Sequence, residues 1–372
     1  MSPDTTGEPA QRLAALAAGR GAHHVVLQEQ ASLSWLLGAR SHVPQTLDTA
    51  CFDAVVEVGA DGDAVEVVVV TNEIEAPRLR EVELVEAQQR LAAAGTALRL
   101  VTLPWWRPRA EAMPGGPGVL GDRPGGDRDP LGPEFARLRR VLDERQAGLL
   151  ADVCADAQRA VADVARRIGP TTTEQQAAGQ VSAALLDRGA EPVALFVAGH
   201  DRMARHRHPL ATAREVGSRA VLVCCARRDG LVASVTRLVC FAPVPKSEFA
   251  RYDALLQVEA AFLDATSPAT RLGTAFEAGA ASYARHGFAS DEWHRHHQGG
   301  FSGWAPREYP AHPGSDDVIE PGSVVAWNPS GDGWKVEDTW IVGPDGPRVA
   351  AVDCDWPAVT VGGRTRPGVL QR

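Results

Sequence analysis

Four polar segments in the second half of the chain contain the residue types that acid–base or metal chemistry requires. They are 199–209 (GHDRMARHRHP), 228–237 (RDGLVASVTR), 294–310 (HRHHQGGFSGWAPREYP) and 327–339 (WNPSGDGWKVEDT). Each lies at the end of a strand-like run or in the loop beside it, and a rigid scaffold displays functional side chains at such places. These segments are therefore the candidates for a functional site.

Two histidine pairs in these segments raise the question of a metal site. His206 and His208 are two residues apart, as are His294 and His296, so on strands the two rings of each pair would face the same way. Paired imidazoles are ligands for zinc and similar cations. An arginine lies between the members of each pair, however, and cationic neighbours disfavour a bound cation unless carboxylates offset them. The residues favour no metal, and a histidine-only site stays open as the lesser alternative.

Composition and missing motifs argue against several function classes. The chain has 372 residues and a net charge of −9, whereas a protein that binds the phosphates of nucleic acid needs a basic surface. The chain has neither a signal-peptide pattern nor an apolar run near the roughly 20 residues that cross a bilayer, so we expect a cytoplasmic protein. The serine nucleophile motif GxSxG is absent, and no signature pairs Cys240 with a base.

The first part of the chain alternates strand-like and helical segments. The runs 51–58 (CFDAVVEV) and 64–72 (AVEVVVVTN) are typical strands, and 78–95 has apolar residues at helical spacing and ends on Gly95. This alternation predicts an α/β domain over residues 1–130. The Pro- and Gly-rich segment 104–133 is predicted to be a linker or a long exposed crossing segment at its end.

The rest, 131–372, has a different order of elements. A helix is predicted from Glu134 to Ile168, and the sequence TTTE at 171–174 predicts a capping box that opens the next helix, to about Asp187. The further elements are strands at 193–198, 219–226 and 231–241, helices at 247–265 and 270–286, and strands at 323–328, 335–342 and 348–352. Two helices followed by strands occur twice. This predicts an α+β domain with an internal α-α-β-β duplication around a curved antiparallel sheet.

Seven segments, in this order, resemble the creatinase, prolidase and aminopeptidase P family, which has the pita-bread fold. They are SLSWLLGARSHVP (32–44), IGPTTTEQQAA (168–178), GHDRMARH (199–206), GLVASVTR (230–237), HHQGGFSG with REYP (296–310), IEPGSVVAWNP (319–329) and WKVEDTWIV (334–342). The last five resemble the family patterns Gly-x-Asn-x4-His, GYxSDxTR, HxxGHGxG with HExP, LxPGMVxxxEPG and xRxEDTxxV. The resemblance covers most of the chain and implies the same fold.

The departures from the family pattern concern its metal ligands. Peptidases of this family hold two metal ions with two Asp, one His and two Glu. Carried onto this chain, the first four ligand positions fall on Val223, Ser234, Gly300 and Asn328, and only the last is kept, as Glu337. A hard divalent cation needs several anionic or imidazole ligands. The resemblance therefore implies that the two-metal centre has been lost and that the chain has no metal and no cofactor.

Creatinase, a metal-free member of the family, indicates the activity to expect. The resemblance implies a metal-independent hydrolase that cleaves a C–N bond of a small-molecule substrate, with His206 as the acid/base. The predicted catalytic residues are His206, Glu337, Glu308 and His296, and the predicted substrate-binding residues are Asn328, Arg40, His208, Arg237, Trp327 and Lys335. Arg237 has a structural alternative, which we favour, as the ion-pair partner of Asp338.

Other functions and the assembly state are also implied by the resemblance. We expect a homodimer in which Arg40 reaches the partner's site, and no nucleic-acid or membrane partner. One alternative is an Xaa-Pro aminopeptidase or dipeptidase with a metal site rebuilt from the histidines at 206, 208, 294, 296 and 297. The others are a metal-free lyase or cyclase of a biosynthetic pathway and a non-catalytic pita-bread binding protein.

Overall fold

A computed structural model describes residues 7–42, 50–123 and 127–372. The chain divides into two compact units, Met1–Asp143 and Glu144–Arg372. The sequence places the domain boundary at 130/131, and this division falls after Asp143. Residues 43 and 44, which end the segment SLSWLLGARSHVP, lie outside the described residues.

The first unit is built on a six-stranded mixed sheet with the order β4-β3-β2-β1-β5-β6. Its strands are β1 His24–Leu27, β2 Phe52–Val58, β3 Ala64–Asn72, β4 Ala97–Leu103, β5 Val119–Gly121 and β6 Asp129–Pro130. Its helices are α1 Pro9–Ala18, α2 Gln30–Leu37, α3 Ala76–Arg78, α4 Val85–Ala93 and α5 Pro133–Arg140, with a π-helical turn at Leu79–Glu83 and a 3-10 turn at Arg109–Ala112. The strand and helix types predicted for this part of the chain are confirmed.

One expectation for the first unit is corrected. The Pro- and Gly-rich segment 104–133 contains β5, which pairs in parallel with β1, and Val119 and Leu120 are buried. It is therefore part of the sheet rather than a linker along its whole length. Two apolar side chains in succession provide the reason, because they gain more free energy buried against the sheet than exposed.

The second unit contains the four polar segments. Its helices are α6 Glu144–Arg167, α7 Glu174–Leu186, α8 His200–Met203, α9 Lys246–Ala265 and α10 Leu272–Arg285, with a 3-10 turn at Glu292–Arg295. Its strands are β7 Glu191–Gly199, β8 Arg219–Arg228, β9 Leu231–Cys240, β10 Gly299–Phe301, β11 Tyr309–Pro310, β12 Val324–Trp327, β13 Ser330–Gly331, β14 Trp334–Lys335, β15 Trp340–Gly343, β16 Gly346–Val349, β17 Ala358–Val361, β18 Arg364–Pro367 and β19 Leu370–Gln371.

The predicted duplication is present in this unit. Two helices, α6 and α7, precede a sheet of order β19-β9-β8-β7, and two helices, α9 and α10, precede a sheet of order β11-β10-β12-β15-β16. Backbone hydrogen bonds from Thr236 N to Glu337 O (2.9 Å) and from Val232 N to Gly303 O (2.8 Å) join the two sheets. The polar segments lie at this junction.

The helix predicted over 134–168 is two helices. The chain leaves helical geometry at Val141, which is extended with φ −96° and ψ 112°, and α6 begins at Glu144. A capping box does open the next helix, α7, but it is formed by other residues than predicted. Thr173 accepts from Gln176 N and Gln176 accepts from Thr173 N. Glu174 is instead buried and accepts from Gly199 N (2.9 Å) and Thr212 N (2.9 Å).

The strand predicted at 335–342 is interrupted. Lys335 ends β14 and Trp340 begins β15, and the four residues between them, 336–339, lie outside regular strand geometry. This interruption sets the directions of two carboxylates, Glu337 and Asp338, as described below. Among the described residues, no helix is both long and apolar enough to cross a membrane.

Candidate functional site

The backbone around Glu337 is held against strand β9. Thr236 N donates to Glu337 O (2.9 Å), and Ser234 N donates to the Thr339 hydroxyl (2.7 Å). The Thr339 hydroxyl in turn donates to Ser234 O (3.2 Å). These bonds satisfy polar groups that the interrupted strand leaves without ladder partners, so the position of Glu337 is fixed by its backbone before its side chain makes any contact.

Two cations bracket the Glu337 carboxylate. The carboxylate is buried, with its Oε1 paired to Arg307 and its Oε2 3.1 Å from Lys335 Nζ. Burial alone would raise the pKa of Glu337, but the charges and hydrogen bonds of Lys335 and Arg307 outweigh it and lower the pKa to about 2. Glu337 is therefore ionised at pH 7, and the three groups together carry one net positive charge.

Three histidines form a cluster beside this carboxylate. One potential ligand atom from each of His208, His296 and His297 lies within 4.8 Å of the others. The Nε2 atoms of His208 and His296 are 3.1 Å apart. The predicted acid/base residue, His206, is exposed and outside the cluster. The site histidine of segment 199–209 is therefore His208, because the loop after α8 turns that side chain, and not its neighbour two residues earlier, toward His296.

The three imidazoles are neutral at pH 7. Burial lowers the pKa of His296 far below its ordinary value, and the charge of Lys335 adds to this. Burial and then the charge of Arg307 lower the pKa of His297 to about 4. The pKa of His208 is also lowered, first by burial and then by Lys335. A neutral imidazole offers a lone pair, which can accept a proton or bind a metal ion.

Neighbouring side chains orient the cluster. The Ser330 hydroxyl lies 3.4 Å from His296 Nδ1, and Phe196 stacks on the ring of His208 with 5.1 Å between centroids. Gln298 donates to His296 O and accepts from Tyr283 OH (2.6 Å). His297 Nδ1 is buried and finds no hydrogen-bond partner among the residues that the structure describes.

The remaining predicted residues divide between this site and other places. Asn328 is buried at the end of β12, and its Oδ1 has no hydrogen-bond partner within the described ranges. Glu308 is half-buried next to Arg307, and its backbone N–H donates to Phe301 O (2.9 Å). Arg40 lies in the first unit, where it pairs with Glu83 (2.7 Å).

Two predicted substrate-binding residues have structural roles. Arg237 is buried and its Nη1 is 2.9 Å from Asp338 Oδ1, which is the favoured alternative for this residue. Trp327 is fully buried, stacks on Phe262 with 4.7 Å between centroids, and donates to the Thr266 hydroxyl (2.9 Å). Its substrate-binding assignment is corrected, because the whole ring is occupied by core packing.

Arg307 is a residue of the candidate site that the sequence analysis did not single out. It contacts Glu337 and, through Nη1, the Ser234 hydroxyl (3.4 Å). The signal was present in the segment REYP, which was matched to the family pattern HExP. An arginine stands there in place of the pattern's histidine, in a chain that also lacks four acidic or imidazole ligands. This replacement of a histidine by a cation, next to a lost cation site, is the signal that could have indicated a partner for Glu337.

The residues present do not fit the two-metal centre that the resemblance describes. Val223 is an apolar residue in the β8–β9 ladder opposite Thr236, and Ser234 is bonded to Thr339. At Gly300, φ is +143°, and a Cβ would lie 2.6 Å from Ala311 N and 2.7 Å from Tyr309 O, so no histidine side chain fits there without backbone movement. Arg307 and Lys335 already neutralise the one retained ligand.

Comparisons with known proteins agree with this architecture. The model of metallopeptidase family M24 matches residues 148–344. The dipeptidase PepE from Mycobacterium ulcerans is similar over 98% of both chains, with 19% identity and a TM-score of 0.73. The prolidase from Pyrococcus furiosus is similar over 91% of this chain and 98% of its own, with 16% identity and a TM-score of 0.73.

The Xaa-Pro dipeptidase from Bacillus anthracis is similar over 98% of this chain and 99% of its own, with 14% identity and a TM-score of 0.72. No curated protein sequence matches the chain significantly. Identities this low establish the fold alone. The predicted fold class, an α/β N-terminal part followed by a pita-bread domain, is confirmed.

Proposed function

The chain belongs to metallopeptidase family M24, and on this premise we propose that it hydrolyses a C–N bond of a small polar substrate without the family's two-metal centre. Solved structures with the same fold include a prolidase and two dipeptidases, and those names are the reason for choosing C–N hydrolysis as the reaction class. Of the predicted metal independence, we propose only that the reaction does not use the two-metal centre.

The observation that carries the proposal is the pairing of Glu337 with both Arg307 and Lys335. Their net positive charge lies at a buried position, where a fixed charge interacts more strongly than in water. Hydrogen-bond donors and positive charges that are already in position can stabilise the oxyanion that forms when water attacks an amide-like carbon. In this proposal the two cations supply the positive charge that metal ions supply in the family's peptidases.

This arrangement changes the expected substrate contacts. Glu337 is predicted above to be catalytic, but its two oxygens already pair with cations. We assign Glu337 the role of positioning Arg307 and Lys335. Asn328 Oδ1 is a buried acceptor without a partner among the described residues, and it would accept a hydrogen bond from the substrate, since an unmade buried hydrogen bond is costly.

Water activation is assigned to the histidine cluster. The acid/base role predicted for His206 passes to this cluster, because His206 lies outside it whereas His208 contacts His296. The neutral imidazoles lie close enough to Lys335 and Arg307 for those charges to lower their pKa. An imidazole of the cluster would take a proton from the attacking water as the water oxygen bonds to the substrate carbon beside the two cations. It would then give that proton to the leaving nitrogen as the C–N bond breaks.

The test is a substrate panel with matched variants. The purified protein is incubated with Xaa-Pro dipeptides, N-acyl amino acids, N-carbamoyl amino acids and guanidino acids, and the product masses are measured by mass spectrometry. Products whose masses sum to the substrate plus one water identify hydrolysis. For a cleaved substrate, Lys335→Met is expected to lower kcat/KM by roughly 100-fold, the usual cost of losing one oxyanion donor. His208→Gln is expected to lower kcat. The control variant His206→Gln is expected to leave kcat and kcat/KM unchanged.

The same panel separates the alternatives. Products that sum to the substrate mass alone would replace hydrolysis by elimination or cyclisation. Absence of any reaction across the panel would contradict the proposal in favour of a binding protein. An unchanged kcat/KM in Lys335→Met would contradict the role given to the paired cations even if a substrate is cleaved.

We also propose the homodimer that the family resemblance implies, with Arg40 contributing to the partner's site. The Arg40 side chain is more than half exposed, so it lies within reach of a partner molecule. Glu83 would keep its ion pair with Arg78 (3.1 Å) if Arg40 turned away. Light scattering measures the assembly state. A monomer at assay concentration that retains full activity would exclude this arrangement.

A further inference from the structure

The three-histidine cluster has the dimensions of a metal site. Zinc binds imidazole nitrogens at about 2.0–2.1 Å in tetrahedral geometry, which separates two ligand nitrogens by roughly 3.3 Å. The Nε2 atoms of His208 and His296 are 3.1 Å apart, and the three potential ligand atoms lie within 4.8 Å of one another. Closing the remaining separations from at most 4.8 Å to about 3.3 Å would complete one face of a tetrahedron.

Hydrogen-bonding partners support the same interpretation independently of these distances. The Ser330 hydroxyl lies beside His296 Nδ1 (3.4 Å), so this ring has its outer nitrogen engaged and its Nε2 directed at the cluster. Metal-bound histidines are usually held in this way by a partner on the other nitrogen. His297 Nδ1 is buried without a partner among the described residues, and such an atom is a ready ligand.

We propose that His208, His296 and His297 bind a single zinc-like divalent cation at a position distinct from the family's two-metal centre. None of these three is among the positions Val223, Ser234, Gly300, Asn328 and Glu337 that correspond to that centre. The fourth ligand would be a water, as in zinc sites that keep an open position. With a cation bound, the three imidazole lone pairs would be occupied, and the ion would take over from them the activation of the attacking water. That use of the site rests on the proposed function; cation binding itself does not.

The charges around the cluster are compatible with this site. Arg207 pairs with Glu292, and Lys335 and Arg307 both pair with Glu337. Each nearby cation therefore has a carboxylate partner, which reduces its repulsion of a divalent ion. The remaining positive charge favours an anionic fourth ligand, and a hydroxide satisfies this condition.

The chain supplies its own matched controls for the test. His206 and His294 are exposed and lie two residues from His208 and His296. After dialysis against a chelator and then buffer, the wild type and the variants His206→Gln, His294→Gln, His208→Gln and His297→Gln are titrated with zinc chloride by calorimetry. Cobalt(II) is added in parallel, and its visible absorption reports tetrahedral nitrogen ligation.

The expected result is one zinc per chain in the wild type, His206→Gln and His294→Gln. The zinc Kd is expected to rise at least tenfold in His208→Gln and His297→Gln, since even loss of an outer partner of a ligand costs about 10–100-fold, with loss of the cobalt spectrum. His208 is exposed, so its variant is expected to fold, and thermal melting of each variant checks this.

Three results would overturn the site: no zinc binding by the wild type, equal zinc affinity in His208→Gln and the wild type, or loss of binding in His206→Gln as well. The outcome is separate from that of the proposed reaction. Stoichiometric zinc with no cleavage of the substrate panel would keep the cation site and reject the hydrolase. Cleavage by a protein that binds no zinc would keep the hydrolase and reject the cation site.

Discussion

Glu337 and Asp338 are neighbours in the sequence, but their carboxylates belong to two different regions of the molecule. Asp338 Oδ1 pairs with Arg237 (2.9 Å) and its Oδ2 with Arg366 (2.9 Å), and Arg366 also pairs with Glu259 (Nε to Oε2, 2.7 Å). We call these four residues the buried ion network. It contains two positive and two negative charges, so its charge is balanced.

The site around Glu337 is different in both charge and accessibility. It has two cations for one carboxylate. The side chains of Arg307 and Lys335 are 13% and 10% exposed, against 3% and 2% for Arg237 and Arg366. A balanced, closed network stabilises a fold, whereas an unbalanced and partly open one can receive a ligand.

The largest expected effect is the loss of unfolding free energy in Asp338→Asn, compared with the loss in Glu337→Gln. Asp338→Asn removes the carboxylate that pairs with Arg237 and leaves Arg366 with Glu259 alone. Removing one member of a buried ion pair costs about 3–5 kcal/mol of unfolding free energy. Glu337→Gln leaves cations that reach solvent, so we expect a smaller loss. Urea denaturation of the two variants measures both, and a larger loss for Glu337→Gln would reverse the distinction between the regions.

A second prediction tests whether the backbone beside the candidate site is closely packed, although the charges of the site are unbalanced. At Gly300 a Cβ would meet backbone atoms at 2.6 and 2.7 Å, at a φ of +143°. Overpacking and backbone strain together are expected to lower the unfolding free energy of Gly300→Ala by about 2–3 kcal/mol.

Gly148 provides the control for this substitution. It lies within α6, is exposed, and a Cβ there would have no atom within 4 Å. Gly148→Ala is expected to stabilise the protein by about 0.5–1 kcal/mol, because alanine favours the helix over the unfolded chain. Similar melting temperatures for the two variants would mean that the backbone at Gly300 can move to accept a side chain.

Much of this fold could be predicted from the sequence because its elements are long and their signals local. Strand β3 is a run of β-branched residues, and the helices α9 and α10 have regular apolar spacing. The retained Glu337 and the neighbouring Lys335 were identified from one segment, WKVEDTWIV. Local patterns such as these depend on few other residues.

The misassigned positions depend on geometry that no local pattern specifies. His206 and His208 differ by two residues in a loop that follows the short helix α8, and periodicity does not determine which of two loop side chains faces the site. The contact between Arg307 and Glu337 joins residues 30 apart in sequence. Trp327 was assigned to the substrate, but its side chain points to the face of β12 that packs on Phe262, and its ring enters the core.

The last prediction is a pH dependence of stability that belongs to the Glu337 region. The pKa of Glu337 is about 2 in the folded protein against an ordinary value of 4.5, so the unfolded chain binds the proton more readily. The stability from its ionised form is present above about pH 4.5 and is lost as the pH falls toward 2. The difference in unfolding free energy between the wild type and Glu337→Gln should therefore shrink by roughly half or more, about 2 kcal/mol, from pH 6 to pH 3. Urea denaturation of both proteins at the two pH values measures this, and the subtraction cancels the other carboxylates. A difference that is constant or grows toward pH 3 would mean that Arg307 and Lys335 do not hold the Glu337 carboxylate in its ionised form.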